Sequence, residues 1–365
     1  MLSLACVPEQ RFADLGDFPL ENGEVIRGCR VGYRTSGELD AARSNAVLLT
    51  PWMMGTSREV MRQVTSGALL DPSGIYAIAV DAFGNGVSSS PSNGAGQRGS
   101  AFPRFSMRDV VEGQYQLLTR VLGVSHLKAV IGTSAGGMQA FQWATSHPQF
   151  LDNAIAIAGS PRSSPADRQR WSGWTEEVRR DPAWKRAARS LESGAPRDAF
   201  RQLVIDPDDF DRQAGAMAAL DVSAPFGGSM QQAVAAVRAR LLVVVPERDD
   251  VVDPAPALEF ARLASAEVLV LDGRCGHRAP ACERAVVQRA VASATAIAAT
   301  PPIAKPPTAS YSVLAAAAPS SSRCSRSALP IALGAGSRNC LTENARTTSS
   351  HPASTQTKIA AAGRY

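Results

Sequence analysis

The chain has 365 residues, 45% hydrophobic and 19% charged, with a formal net charge of +5, a balance that fits a globular protein and excludes a fibrous or wholly disordered one. No apolar run reaches the ~20 residues of a membrane helix. The positive charge sits in one place: residues 297–365 carry seven Lys or Arg against Glu343 alone, which leaves residues 1–296 at about −1, so the clustered basic face of a nucleic-acid binder is not expected.

In chain order, the start MLSLACVPEQ has a short apolar patch but no basic n-region and too little apolar length for a signal peptide. The expected compartment is the cytoplasm, with export the alternative if the patch is the stump of a leader. Residues 18–38 read as an antiparallel hairpin. Six short apolar runs follow, NAVLLT (45–50), YAIAVD (76–81), KAVIGT (128–133), NAIAIAG (153–159), LLVVVP (241–246) and AEVLVLDG (266–273). Their near-continuous apolar character suits parallel strands covered on both faces. Helical patterns separate them, including SREVMRQVTSGALL and SMRDVVEGQYQLLTRVLG, the second opened by a capping Ser106.

Residues 160–238 break the alternation. They hold no strand pattern but several amphipathic stretches, such as RQRWSGWTEEVRR and MQQAVAAVRARL, expected to form a helical lid insertion. Trp171 and Trp174 read as core of a lid helix. The predicted organisation is an α/β sheet core in two parts, 1–159 and 239–296, the insertion at 160–238, and a tail at 297–365. The tail is rich in Ala, Ser, Thr and Pro, and its low core-building content reads as disordered or loosely attached.

Gly132-Thr133-Ser134-Ala135-Gly136 stands between the strand KAVI and a helical pattern, where a G-x-S-x-G turn lifts its serine above the sheet. The flanking glycines leave room for backbone segments in near contact. A serine hydroxyl needs a base, and the base an orienting acid, in the order serine, acid, histidine in an α/β-hydrolase fold. Of four histidines, His126 lies at the wrong end of the nucleophile strand, His147 closes the following helix and His351 is in the tail, leaving His277 beyond the last predicted strand. For the acid, Asp249, Asp250 and Asp253 follow the strand 241–246. One of them is expected to cap the helix beginning near Pro254; Asp250 is read as the acid, with Asp249 as the alternative. Ala135 supplies one oxyanion N–H, and Met53, in the loop after the first core strand, is the candidate for the second.

Other motifs carry less. FGNGVSS (83–89) has Ser89 where a dinucleotide fingerprint has its third glycine, so it reads as a turn. No His, Asp and Glu spacing suggests a metal site, and no C-x-x-C pair occurs. Cys275 and Cys282 are expected to be two buried free thiols, a local disulfide being the alternative.

Several segments in fixed order, FPLENGEVIRGCRVGYRTSGELDAARSNAVLL, FPRFSMRDVVEGQYQLL, GTSAGGMQAFQWATSHP, RDDVVDP and CGH, together resemble the homoserine O-acetyltransferase family of α/β-hydrolases over roughly residues 17–160 and 240–280. The resemblance implies ping-pong acyl transfer from acyl-CoA through Ser134 to a hydroxyl acceptor, with Asp250, four residues before Pro254, as acid and His277 as base. It also aligns the family's oxyanion loop with Pro51–Gly55, its leucine at Met53. In the family an aspartate usually follows the histidine, whereas Arg278 stands here; Ala135 replaces a common methionine, and the insertion is shorter. The expected partners are a small-molecule acyl donor and acceptor, with no further cofactor; a homodimer is compatible with this reading. Hydrolysis of an ester, with water as the acyl acceptor, is the alternative function.

Overall fold

The computed structural model describes residues 7–180 and 206–296 and the backbone of 313–315. Nine strands form one sheet in the order β1-β2-β4-β3-β5-β6-β7-β8-β9. They are β1 (Arg11–Pro19), β2 (Val25–Ser36), β3 (Ala46–Thr50), β4 (Tyr76–Val80), β5 (Leu127–Thr133), β6 (Leu151–Ile157), β7 (Arg240–Pro246), β8 (Glu267–Leu271) and β9 (Val313–Ala315). The first two pair antiparallel with each other, β2 pairs antiparallel with β4, and every other pairing is parallel. All six predicted core strands are present. The hairpin begins at residue 11 rather than 18, because β1 alternates polar and apolar residues around Gly16 and its apolar signal is weak.

Side-chain alternation explains the double cover. In β3, Leu48 packs with one apolar cluster while Val47 and Leu49 join the other; in β5, Val130 divides in the same way from Ala129 and Ile131. A period of two sends neighbours to opposite faces, so only strands apolar at every position can be buried on both. One face is covered by α2 (Met107–Gln116), α3 (Ala135–Ser146) and α7 (Ala255–Ala264). The other is covered by α1 (Ser57–Thr65) and α8 (Arg284–Ala296). Ser106 caps α2 as expected: its Oγ accepts from the Asp109 N–H at 3.1 Å, while Asp109 Oδ2 accepts from the Ser106 N–H at 2.7 Å, a reciprocal capping box.

Between β6 and β7 the described residues form α4 (Pro165–Arg180), α5 (Pro207–Ala218) and α6 (Met230–Ala236). Trp171 is buried and meets Trp174 edge to face at 5.2 Å. Residues 181–205 of the insertion lie outside the described residues, as do His351, Cys324, Cys340 and most of the segment 297–365. Of that tail, Val313–Ala315 is described and pairs with β8.

Among the described residues no helix is long and apolar enough to cross a membrane. Cys275 and Cys282 are joined in a disulfide, correcting the expectation of two buried thiols: both lie exposed at the two ends of a short helical reversal, 276–282. Seven-residue spacing alone does not reveal such a reversal. Cys29 is a free, buried cysteine, its thiol pushed up to about 12 by burial.

Candidate active site

Strand β5 delivers Ser134 to its place through a turn that only glycine permits at the neighbouring positions. A Cβ at Gly132 would stand 2.1 Å from the Gly136 carbonyl oxygen, and one at Gly136 would stand 2.3 Å from that of Thr50. With the chain folded this tightly, Ser134 itself takes φ 59°, ψ −120°, a conformation that costs a non-glycine residue about 1–3 kcal/mol and persists only where the surroundings impose it. They do: the Ser134 N–H donates to the Ile157 carbonyl of β6 at 2.8 Å, and the Ser134 carbonyl accepts from Met138 at 3.0 Å, starting α3.

From this turn Ser134 Oγ lies 2.9 Å from His277 Nε2, and His277 Nδ1 lies 2.9 and 2.8 Å from Asp249 Oδ1 and Oδ2. All three side chains are shielded, Ser134 at 6% exposure, the imidazole at 9% and the Asp249 carboxyl at 2%. An ion pair or charge-assisted hydrogen bond there is little weakened by solvent.

The acid position differs from the sequence expectation. Asp249, not Asp250, reaches the imidazole; Asp250 Oδ1 instead accepts from the backbone N–H of His277 at 3.0 Å. The cause is the turn after β7, closed by the Asp249 N–H on the Pro246 carbonyl at 3.3 Å. It points successive side chains to different sides. Asp249 Oδ1 also accepts from the N–H groups of Val251 and Val252, both at 2.9 Å, which fixes the carboxylate toward the ring. Asp253 Oδ1 accepts from the Ala255 N–H at 3.0 Å, a turn around Pro254; Pro254 itself is the N-cap of α7 and no side chain caps that helix, so the expected capping aspartate is not found there.

The other two described histidines are engaged elsewhere. His126 bonds Asp152 at 2.9 Å before β5, and His147 stacks on Tyr115 with ring centroids 4.1 Å apart. The 83–89 segment is a turn, as expected, with Gly84 and Gly86 at φ 76° and 80°.

Ala135 is the first residue of α3, so its N–H has no acceptor within the helix and lies at the positive end of the helix dipole. The loop after β3 approaches it from the side: Trp52 and Ala135 border one narrow, mostly apolar cavity of about 20 Å³, together with Phe105, Gln139, Gln213 and Met217. Met53 is in that loop. Two glutamines that sequence reasoning passed over hold it. Gln213 Oε1 accepts from the Met54 N–H at 2.7 Å while its Nε2 donates to the Phe83 carbonyl at 2.9 Å, and Gln139 Nε2 donates to the Pro51 carbonyl at 3.2 Å. Gln139 was discoverable as one of two glutamines, with Gln142, on the largely apolar α3; Gln213 sits in the insertion and gave no local signal. Among the described residues no three His, Cys, Asp or Glu side chains converge to hold a metal ion.

Residues 54–267, more than half the chain, match the family model of the alpha/beta hydrolase fold. The chain is 35% identical over 192 residues to an ethyl acetate hydrolase of Pseudomonas veronii, a match spanning 51% of this chain and 55% of that protein. It is 32% identical over 196 residues to a homoserine O-acetyltransferase of Thermobifida fusca, spanning 48% of this chain and 51% of that protein. The chain thus spans about half the length of these curated relatives. A solved acetylester hydrolase from Corynebacterium glutamicum superposes with a TM-score of 0.69 at 25% identity, covering 79% of this chain and 96% of that one. The strand-turn-helix at Ser134, the sheet that carries it and the family match agree: the chain belongs to the alpha/beta hydrolase fold family.

Proposed function

We propose that the protein is a serine esterase acting on esters of short, acetyl-sized acids, through an acyl-Ser134 intermediate that water resolves. The observation that carries the reading is the continuous hydrogen-bonded path Ser134 Oγ, His277, Asp249, at 2.9 Å and 2.8 Å. In this mechanism His277 Nε2 takes the hydroxyl proton as Ser134 Oγ bonds to the ester carbonyl carbon. The carbonyl electrons move to oxygen, where the N–H groups of Ala135 and Met53 receive the negative charge. Asp249 holds the ring with Nδ1 protonated and stabilises the imidazolium. When the tetrahedral intermediate collapses, the C–O bond to the alcohol breaks and His277 returns the proton to the departing oxygen. Water then repeats the sequence against the acyl-serine, releasing the acid and restoring the hydroxyl.

The acyl site is assigned to the cavity beside Ala135, which is lined mostly by apolar side chains such as Trp52, Phe83 and Met217. The similarity to an ethyl acetate hydrolase and an acetylester hydrolase supports an acetyl-sized acyl group and water as the acceptor. Transfer from acyl-CoA to a hydroxyl acceptor is the second reading, supported by the similarity to a homoserine O-acetyltransferase. Against homoserine itself stands Arg278, next to His277 in the chain, a cation where a carboxylate could have received an ammonium-bearing acceptor. The two readings share the acyl-enzyme and divide at its resolution.

The test presents the protein with ethyl acetate, and separately with acetyl-CoA and homoserine, while following acyl-Ser134 by mass spectrometry. The expected result is rapid acetate release from the ester, with Ser134→Ala slower by roughly 10⁵-fold or more. An acyl-enzyme that survives in water and is discharged only by an added hydroxyl compound would replace the esterase reading with the transferase one.

A further inference from the structure

The helical insertion reaches the catalytic acid through a single peptide bond. Arg170, on α4, donates from Nη1 to the Val251 carbonyl at 2.7 Å. The N–H of that same peptide unit belongs to Val252 and donates to Asp249 Oδ1 at 2.9 Å. A trans peptide is planar with its C=O and N–H opposed, so Arg170 and Asp249 grip the two ends of one amide dipole. A cation on the carbonyl polarises the amide and strengthens the bond its N–H makes to the carboxylate.

Asp167 holds this grip in register. Its side chain is fully buried, and Oδ1 accepts both from Arg170 Nη1 at 2.8 Å and from the Asp253 N–H at 3.0 Å. Oδ2 accepts from the Ser164 N–H at 3.3 Å, and Ser164 Oγ returns a bond from the Asp167 N–H at 3.2 Å. Capping the start of α4 requires only the Ser164 exchange. The other carboxylate oxygen is committed to the 251–253 loop, and a buried carboxylate without such partners is costly.

We propose that Arg170, oriented by Asp167, is a positioning residue for the reaction: acting through the 251–252 peptide, it fixes the Asp249 carboxylate against His277, so that the insertion helps to hold the proton path. The inference rests on the esterase reading of Ser134, His277 and Asp249. It applies equally if the acyl group passes to an alcohol.

Arg170→Met keeps most of the side-chain volume and removes the donor. Measured on the whole protein with a short-chain ester, kcat is expected to fall roughly 10- to 100-fold, the scale of a slightly misplaced catalytic group, with KM within about threefold. Arg170→Lys, which can still donate to the Val251 carbonyl, is expected to recover most of that loss. The far-downfield proton resonance of His277 Nδ1–H should broaden or move in the Met variant and return in the Lys variant, a change that a merely structural lid residue would not produce. A Met variant with wild-type melting and wild-type kcat overturns the inference, as does a Lys variant as slow as the Met variant, or a KM rise with kcat intact. Should Arg170→Met fail to fold, Arg170→Leu, which likewise lacks a donor, is read by the same criteria. Ser134→Ala and His277→Ala run alongside: if they retain activity, the esterase reading itself falls, whereas their inactivity beside a fully active Arg170→Met removes only the positioning role.

Discussion

The turn after β5 and the turn after β7 each carry a polar side chain from the end of a buried parallel strand to the same point, and they are held there by different means. At Ser134 the constraint is backbone against backbone, with Gly132 and Gly136 packed so closely that any side chain would collide. At Asp249 the constraint is hydrogen bonding, with two N–H groups of its own loop and, behind them, Arg170 of the insertion. A steric constraint selects glycine and leaves a trace in the sequence at the site itself. A hydrogen-bonded constraint draws on residues some eighty positions away, as the 81-residue separation of Arg170 and Val251 shows, and leaves none.

The sharpest way to break this contrast is to exchange the two neighbouring aspartates. Asp249→Asn should lower kcat by roughly 10³- to 10⁴-fold, since the amide can no longer stabilise the imidazolium or enforce the tautomer. Asp250→Asn keeps an acceptor for the His277 N–H and should cost less than about tenfold. Equal losses in the two variants, by steady-state ester hydrolysis, would mean that the acid loop moves on binding substrate. For the steric turn the corresponding change is Gly136→Ala. A Cβ placed 2.3 Å from the Thr50 carbonyl should destabilise the fold by about 3 kcal/mol or more, and unchanged urea unfolding would show that the strand end yields.

The same distinction explains what could be read from the chain alone. The six core strands announce themselves because strands buried on both faces are apolar at every position, as in Val47, Leu48 and Leu49. Ser134 is marked by its glycines, and His277 emerges by elimination from four histidines. Choosing between Asp249 and Asp250 required the dihedral angles of one turn, which no spacing encodes. The Cys275–Cys282 bond depended likewise on a helical reversal. Gln213, Asp167 and Arg170 act across the fold, and on α4 and α5 they look like ordinary polar residues of amphipathic helices.

The insertion also carries a buried charge that sharpens the comparison in a measurable way. Asp209, in the first turn of α5, is 2% exposed and accepts from the Ser92 N–H at 2.8 Å and the Ser92 hydroxyl at 2.6 Å. Burial outweighs these bonds and, with Asp206 and Asp208 nearby, pushes its carboxyl up to about 7. A folded-state value above the unfolded one means the folded protein holds the proton longer. The contribution is therefore full below about pH 4 and lost as pH rises toward 7. Between pH 5 and pH 8 the loss should be about 3 kcal/mol. Asp209→Asn should remove that slope from urea unfolding curves. A variant with the wild-type pH dependence would assign the slope to other groups.

The smallest expected effect concerns the second place where the insertion meets the catalytic apparatus. Gln213 secures the loop after β3 by accepting from the Met54 N–H and donating to the Phe83 carbonyl, one residue beyond the proposed oxyanion donor Met53. Met54 holds φ 58°, a conformation that needs an external tie. Gln213→Glu keeps the acceptor for Met54 but not the donor to Phe83, whereas Gln213→Leu removes both. If the Met53 N–H receives charge only in the transition state, loosening its loop should lower kcat with little change in KM. The expected loss is about tenfold for Leu and less for Glu, because a displaced donor weakens one of two oxyanion bonds without abolishing it. Gln213 also borders the cavity proposed to take the acyl group, and there the two roles separate. A raised KM with kcat preserved would make Gln213 a wall of the cavity, and would leave the insertion touching the chemistry through α4 alone.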